Sequence, residues 1–532
     1  MVVRSSQSAV RRRKHWGWGY EDEQPAGDEL RAAAEGFRAH LGFGGDEVEE
    51  PVPLESVELA PPRLQAPASL AEICSSDTYE RASHAQGKAY RDIVRGFRGQ
   101  FDHPPDVVAF PRDAGEVEAV LEWCTERGAA AIPYGGGTSV VGGVEAAVGD
   151  GYSGSVTIDL GRLDRVLEID RESRAALIQA GASGPALEDQ LREHGLTLRH
   201  FPQSFQLSTL GGWIATRAGG HFATVYTHID DLVESVTAVT PSGTIETRRL
   251  PGSGAGPSPD RMLIGSEGIL GVITEAWVRL HDRPTHKASA AASFPDFARG
   301  AEAVRALGQS GLYPANCRLL DPGEAALTGA SQDGALLVLG FESADHPVEP
   351  WMDRATELVQ DHGGTVAGRR GGGDSVGTWR DVFLRAPYLR DTFVACGVIS
   401  ETFETAITWD RFEALHASAI EATERALAET CGGGRVTCRF THVYPDGPAP
   451  YFTVLAPARR GAEVSQWDAI KAAASEAIVS AGGTITHHHA VGRDHRPWYD
   501  RQRPDAFADA LRAAKRALDP AAVLNPGVLI DP

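Results

Sequence analysis

From Val107 onward, short apolar runs alternate with amphipathic stretches. Val107-Val108-Ala109-Phe110 predicts a short buried strand. Asp113 then opens a helix, with Glu116 three residues on in capping-box spacing. Val117, Val120, Leu121 and Cys124 share its apolar face, and Gly128 ends it. The apolar run 129–133 is a second strand and leads straight into Gly135-Gly136-Gly137-Thr138-Ser139. Segment 156–160 is a third strand, and 167–169 with 176–178 flank a polar turn as a hairpin. A helix over 186–194 stops at Gly195. A second hairpin turns at Pro241-Ser242-Gly243, between 236–240 and 244–246.

Beyond about residue 287 the rhythm changes. A helix over 297–307 precedes a strand over 335–339, and 350–362 reads as a helix with Pro350 at a tolerated first position. A long helix over 410–429, strands over 436–444 and 451–455, and a helix over 464–480 follow. Arg370 to Asp374 reads as a loop. The fold class is therefore α+β. The expected organisation is an N-terminal helical arm (1–100), a ligand-binding domain (101–283), a cap or substrate domain (284–480) and a C-terminal segment (481–532) that completes the site.

A chain of 532 residues exceeds a single core, which agrees with that division. The net charge of -21 argues against nucleic acid as partner. A few local arginines still suffice for an anionic small molecule. The six cysteines are scattered without a CxxC pair, so neither a disulfide scaffold nor a Cys zinc site is expected. No secretory or membrane-length apolar run is visible, which points to a cytoplasmic protein. Arg11-Arg12-Arg13-Lys14 with Trp16 and Trp18 reads as a solvated tail, with peripheral contact to anionic lipid as the alternative.

The chemistry begins at the glycines. Gly135, Gly136 and Gly137 permit positive φ and close approach of a ligand to backbone N–H groups, and Thr138 and Ser139 add hydroxyls. A triple glycine alone is equally a tight turn, and the spacing is not GxGxxG, so NAD is disfavoured. Two further clusters, 208–212 and 265–274, are rich in Gly, Ser and Thr. Three such clusters suit an extended ligand with phosphates, hydroxyls and a flat ring.

These clusters resemble the FAD-binding fold of the vanillyl-alcohol oxidase family, and within it the alkyldihydroxyacetonephosphate synthases. The resemblance runs from Trp16-Gly17-Trp18-Gly19-Tyr20 to Asn525-Pro526-Gly527. It implies a two-part FAD-binding domain plus an α+β cap, and a homodimer. It implies FAD contacts from Pro133, Tyr134, Gly135, Gly136, Gly137, Thr138 and Ser139 (pyrophosphate). The ribityl chain and ring would meet Gln203, Ser204, Ser208, Thr209, Thr216, Arg217, Ala218, Gly219, Glu267, Gly268, Ile269, Leu270, Gly271, Val272 and Ile273. Some members tether flavin through a His in the first loop. Residues 134–139 hold neither His nor Cys, so noncovalent FAD is expected.

His487-His488-His489 invites a metal reading, but on a strand adjacent residues face opposite ways and at most two meet one ion. No metal is therefore expected, and acid-base or hydrogen-bonding work is. The resemblance implies that this run is needed for activity, that Tyr451 is the acid-base group, that Arg390 contacts substrate and that Arg318 matters for turnover. The implied reaction exchanges the acyl group of acyl-dihydroxyacetone phosphate for a long-chain alcohol, through capture of the substrate carbon at flavin N5. The substrate is thus small or lipid-like. One rival is an FAD-linked D-2-hydroxy-acid dehydrogenase. Its His-x-x-Asp-Gly-Asn-x-His metal motif is degraded here, where His442-Val443-Tyr444-Pro445-Asp446-Gly447 is followed by Ala449 and Tyr451. A second rival is a flavin- or lipid-binding protein without turnover.

Overall fold

The computed structural model describes residues 11–45, 47–330, 334–367 and 387–531. The expected loop 370–374 lies outside them.

Three main sheets organise the chain. The first has four strands in the order Cys74–Ser75, Val107–Ala109, Ser155–Asp159, Ala130–Tyr134. Its last three strands are parallel, joined by the helix Ala114–Arg127. Asp113 caps that helix by accepting from Glu116 N. Glu116 does not complete the reciprocal box: its carboxylate accepts from Arg112 N instead, at 2.7 Å. Gly128 ends the helix at φ +61°.

The second sheet has five antiparallel strands, in the order Val166–Asp170, Ala175–Gln179, Val272–Arg279, Val233–Thr240, Gly243–Glu246. Both expected hairpins are in it. One apolar core unites these sheets and includes Val491, Leu524 and Val528, so the C-terminal segment returns to the first half of the chain. Leu524 bridges Ala131 beside the glycine loop.

The third sheet has seven antiparallel strands, in the order Thr365–Ala367, His286–Phe294, Ala335–Ser343, Asn316–Leu320, Arg435–Val443, Pro448–Pro457, Val398–Glu404. The helices Trp409–Cys431 and Glu463–Ser480 pack together against the Val398–Glu404 end of it.

The N-terminal basic segment departs most from expectation. It is not a solvated tail. Trp16 and Trp18 are buried in a core shared with Phe403, Phe452 and Trp467 of the cap. Lys14 forms a buried ion pair with Asp391, 2.8 Å. Asp391 also accepts from Trp18 N at 3.0 Å. Only Arg11 and Arg12 stay near water, paired with Asp22, Glu23 and Glu21. Burial of two indoles and a compensated ion pair outweighs the solvation of this short stretch. Among the described residues, no helix is long and apolar enough to cross a membrane.

Candidate active site

One cavity of about 410 Å³ lies between the first two sheets and the third. Its floor is the loop Gly135–Ser139. Gly137 has φ +67°, and a Cβ there would run into the Tyr134 hydroxyl. A Cβ on Gly136 would run into the Leu207 carbonyl. The loop therefore closes only with glycine at these two places, which keeps its backbone open to a ligand.

The first cluster, Pro133 to Ser139, lines the cavity throughout. Gln203, Ser204, Ser208, Thr209, Thr216, Ala218, Gly219, Glu267, Gly268, Gly271 and Ile273 line it as well. Four residues expected at the ligand do not. Arg217 sits at the C-cap of the helix Leu210–Thr216 and turns to Asp230, 3.0 Å. Ile269, Leu270 and Val272 point into the core, because the turn into Val272–Arg279 must bury an apolar face.

Asn525 anchors the far wall. Its Nδ2 donates to the carbonyls of Gly143 (3.1 Å) and Glu267 (2.7 Å). Its Oδ1 is buried without a protein partner, an acceptor available to a ligand. The Glu267 carboxylate accepts from Val491 N and Gly492 N, at 2.9 and 2.7 Å. Burial pushes it up to about 7, against those two hydrogen bonds.

The seven-stranded sheet supplies the opposite wall. Tyr451 faces Glu404 on one neighbouring strand and Arg439 on the other. The Arg439 guanidinium stacks 4.0 Å over the Tyr451 ring and pairs with Glu324, fixing the phenol in place. Arg318 lines the cavity, and burial next to Arg439 lowers it to about 9. Arg390, on the helical segment 387–395, also lines it. Its guanidinium donates to the Lys88 carbonyl (2.9 Å), while Lys88 N donates to the Ser139 carbonyl (2.7 Å). The backbone of Lys88 thus ties Arg390 to the glycine loop.

The histidine run is a loop, not a strand. It wraps the carboxylate of Glu404. His488 N and His489 N donate to Glu404 Oε1 at 3.1 and 2.9 Å, and His487 N donates to Oε2. The Thr486 hydroxyl donates to Oε1, 2.6 Å. Burial alone would raise Glu404; the pull of the three histidines as they become charged in acid, with the Thr486 hydroxyl, more than offsets it and holds the carboxyl well below its ordinary value. Burial lowers His487, His488 and His489, with Glu404 opposing. The rings are therefore neutral near pH 7. His488 and His489 line the cavity beside Tyr451, while His487 sits behind them. The strand argument against a metal fails, since His442, His487 and His488 bring nitrogens within 4.8 Å of one another. His487 Nδ1 lies 3.0 Å from His488 Nδ1 and His442 Nε2 lies 3.0 Å from the Gly220 carbonyl, while His442 Nδ1 is buried without a hydrogen-bond partner.

Comparison with known proteins accounts for this arrangement. The profile described as "FAD linked oxidases, C-terminal domain" matches residues 283–529, and "FAD binding domain" matches 105–248. The chain is 30% identical over 508 residues to an alkyldihydroxyacetonephosphate synthase of Trypanosoma brucei brucei, covering 89% of this chain and 82% of that one. The chain belongs to the FAD-linked oxidases, as an alkyldihydroxyacetonephosphate synthase-like member. The Dictyostelium discoideum synthase is similar at 29% over 512 residues, covering 90% and 83%. A solved alkyldihydroxyacetonephosphate synthase superposes with TM-score 0.82 at 26% identity, covering 96% of this chain and 98% of its own. FAD is thus the cofactor that the FAD-binding domain implies. The open glycine loop, the two further polar clusters and the orphaned Asn525 acceptor fit it.

Sequence reasoning passed over Glu404, Arg439 and Glu324. Glu404 shares its strand with Glu401, and Arg439 shares its strand with Arg435, so the pairing across the sheet rather than a local signal singles them out.

Proposed function

We propose that the chain exchanges the acyl group of an acyl-dihydroxyacetone phosphate for a long-chain alcohol, on noncovalently held FAD. The carrying observation is the continuity of the cavity. Tyr451, Arg318, Arg390 and His488 share it with the glycine loop, and it extends past Phe37, Leu41, Leu327, Phe393 and Leu455. Those five belong to an apolar group of their own, chemistry that suits an alkyl chain and has no use in a small hydroxy acid. The names of the similar synthases support the same reading.

In this reading Arg390 and Arg318 bind the phosphate and carbonyl oxygens through planar donor forks. Tyr451 takes the proton from the carbon bearing the ester and later returns one, with its ring held by Arg439. His488 and His489 stand beside Tyr451 as neutral acceptors. When bound, the flavin supplies a covalent electron sink with no net redox change. Noncovalent binding is supported by the loop 134–139, which holds neither His nor Cys, and no cysteine lines the cavity.

The test incubates holoenzyme with palmitoyl-dihydroxyacetone phosphate and hexadecanol and looks for the ether by mass spectrometry. Tyr451→Phe should abolish the product and leave the flavin spectrum intact. No ether, with anaerobic flavin bleaching by D-lactate or D-2-hydroxyglutarate, would replace this reading with the dehydrogenase.

A further inference from the structure

Behind Tyr451, three imidazoles run end to end out of the cavity. His488 lines the cavity, and its Nδ1 lies 3.0 Å from Nδ1 of His487. His487 Nε2 lies 3.1 Å from Nε2 of His228. His228 Nδ1 lies 2.8 Å from the Arg217 carbonyl oxygen, and its ring is only half-buried.

The partners dictate where the protons sit. A carbonyl only accepts, so His228 carries its hydrogen on Nδ1 and presents a lone pair at Nε2. His487 then donates from Nε2, which leaves its Nδ1 a lone pair. His488 donates to that lone pair from its own Nδ1, and its Nε2 stays unprotonated. An imidazole that serves only packing needs a satisfied partner, not this unbroken alternation between a cavity wall and a half-exposed edge.

We propose that His488, His487 and His228 form a proton relay between the substrate cavity and solvent, with His228 as the exit. The proposal rests on the reading that a substrate proton is taken and returned in the cavity. A proton arrives at His488 Nε2. The His488 Nδ1 proton crosses to His487 Nδ1, and the His487 Nε2 proton crosses to His228 Nε2. His228, now a cation, sheds its Nδ1 proton to water as its ring swings off the Arg217 carbonyl, which cannot face a bare Nδ1. Each N–H bonding pair stays behind as a nitrogen lone pair, so charge and atoms balance. Every ring is left in its other tautomer, and the returning proton resets all three by the reverse path. The substrate proton that is taken and returned uses such a wire once in each direction, while the alcohol proton leaves with the fatty acid.

Tyr444 fits this role. Its hydroxyl lies 2.7 Å from His487 Nε2 and 2.9 Å from Thr227 Oγ1. It donates to Thr227 while His487 Nε2 is protonated and swings to His487 once that proton has left. His442 takes no part, since its Nε2 is held by the Gly220 carbonyl.

Two measurements on holoenzyme test the relay. His228→Gln should lower kcat for ether formation about a hundredfold at low buffer, the lower end of the range of a lost proton-transfer group. KM and the flavin spectrum should not change, and added imidazole should restore kcat saturably. A kcat within twofold of wild type, or a loss that imidazole leaves untouched, overturns the relay. Independently, nitrogen-15 NMR of histidine-labelled wild type should show the Nδ1–H tautomer for His488 and His228 and the Nε2–H tautomer for His487. A resting His487 protonated on Nδ1 breaks the wire and overturns the proposal. The NMR result decides the relay even if wild type makes no ether, in which case only the proposed reaction falls.

Discussion

Replacing Glu404 by Gln keeps the shape of the side chain and removes its charge, so it isolates what the carboxylate does for the histidine loop. Glu404 accepts from three consecutive backbone N–H groups and the Thr486 hydroxyl. With the amide oxygen in place of Oε1, three of those bonds survive but drop from charge-assisted to neutral, a loss of about 1 kcal/mol each. The amide nitrogen then faces His487 N–H, donor against donor, at a cost of about 1–3 kcal/mol. Sparing the burial of a charge returns part of this, leaving a net of about 2–4 kcal/mol. The effect is local to residues 486–489, so hydrogen exchange read by mass spectrometry on peptides across that loop is the assay. At neutral pH exchange should accelerate by roughly two orders of magnitude, at 1.36 kcal/mol per decade. The pH dependence has a fixed sign. Glu404 is held below its ordinary 4.5, so its stabilisation is fully present above that value and fades as pH falls through the lower, folded-state value. Wild type and variant should therefore converge in acid. An acceleration below threefold at neutral pH would refute the account of the loop as a wrapped carboxylate.

Three further outcomes follow from the same geometry. Lys14→Met strands the Asp391 carboxylate in a buried position and should cost about 3 kcal/mol in urea unfolding, with Lys14→Met/Asp391→Leu recovering more than half; an unchanged midpoint for the single variant would contradict it. Gly136→Ala drives a Cβ into the Leu207 carbonyl, so the purified variant should be folded by circular dichroism but colourless. Acid precipitation of wild type should release flavin into the supernatant, and flavin that stays with the pelleted chain would refute noncovalent binding.

Much of the first half was legible because its signals are local. Asp113, Gly128 and the turn 241–243 act through neighbours in the chain, and the structure places the helix and hairpin where they indicate. The glycine loop was legible for the same reason. The cap was read less well: the strands Asn316–Leu320 and Val398–Glu404 went unnoticed, because their residues are dictated by sheet partners far away in sequence. The basic, indole-rich start failed for the same cause. Nothing near Lys14 announces that Asp391 waits for it. The histidine run was singled out correctly as unusual, yet its conformation is set by Glu404, more than eighty residues earlier.

The N-terminal segment also reaches the cofactor loop directly. The Arg13 guanidinium donates to the Gly136 carbonyl at 3.1 Å, while the next residue is locked to Asp391. Residues 13 and 14 thus fasten the glycine loop to Asp391, a partner in the distant cap. Cutting that tie should loosen whatever the loop holds. Expression trimmed of its first twenty residues should yield protein that folds its sheets and loses its colour on dilution.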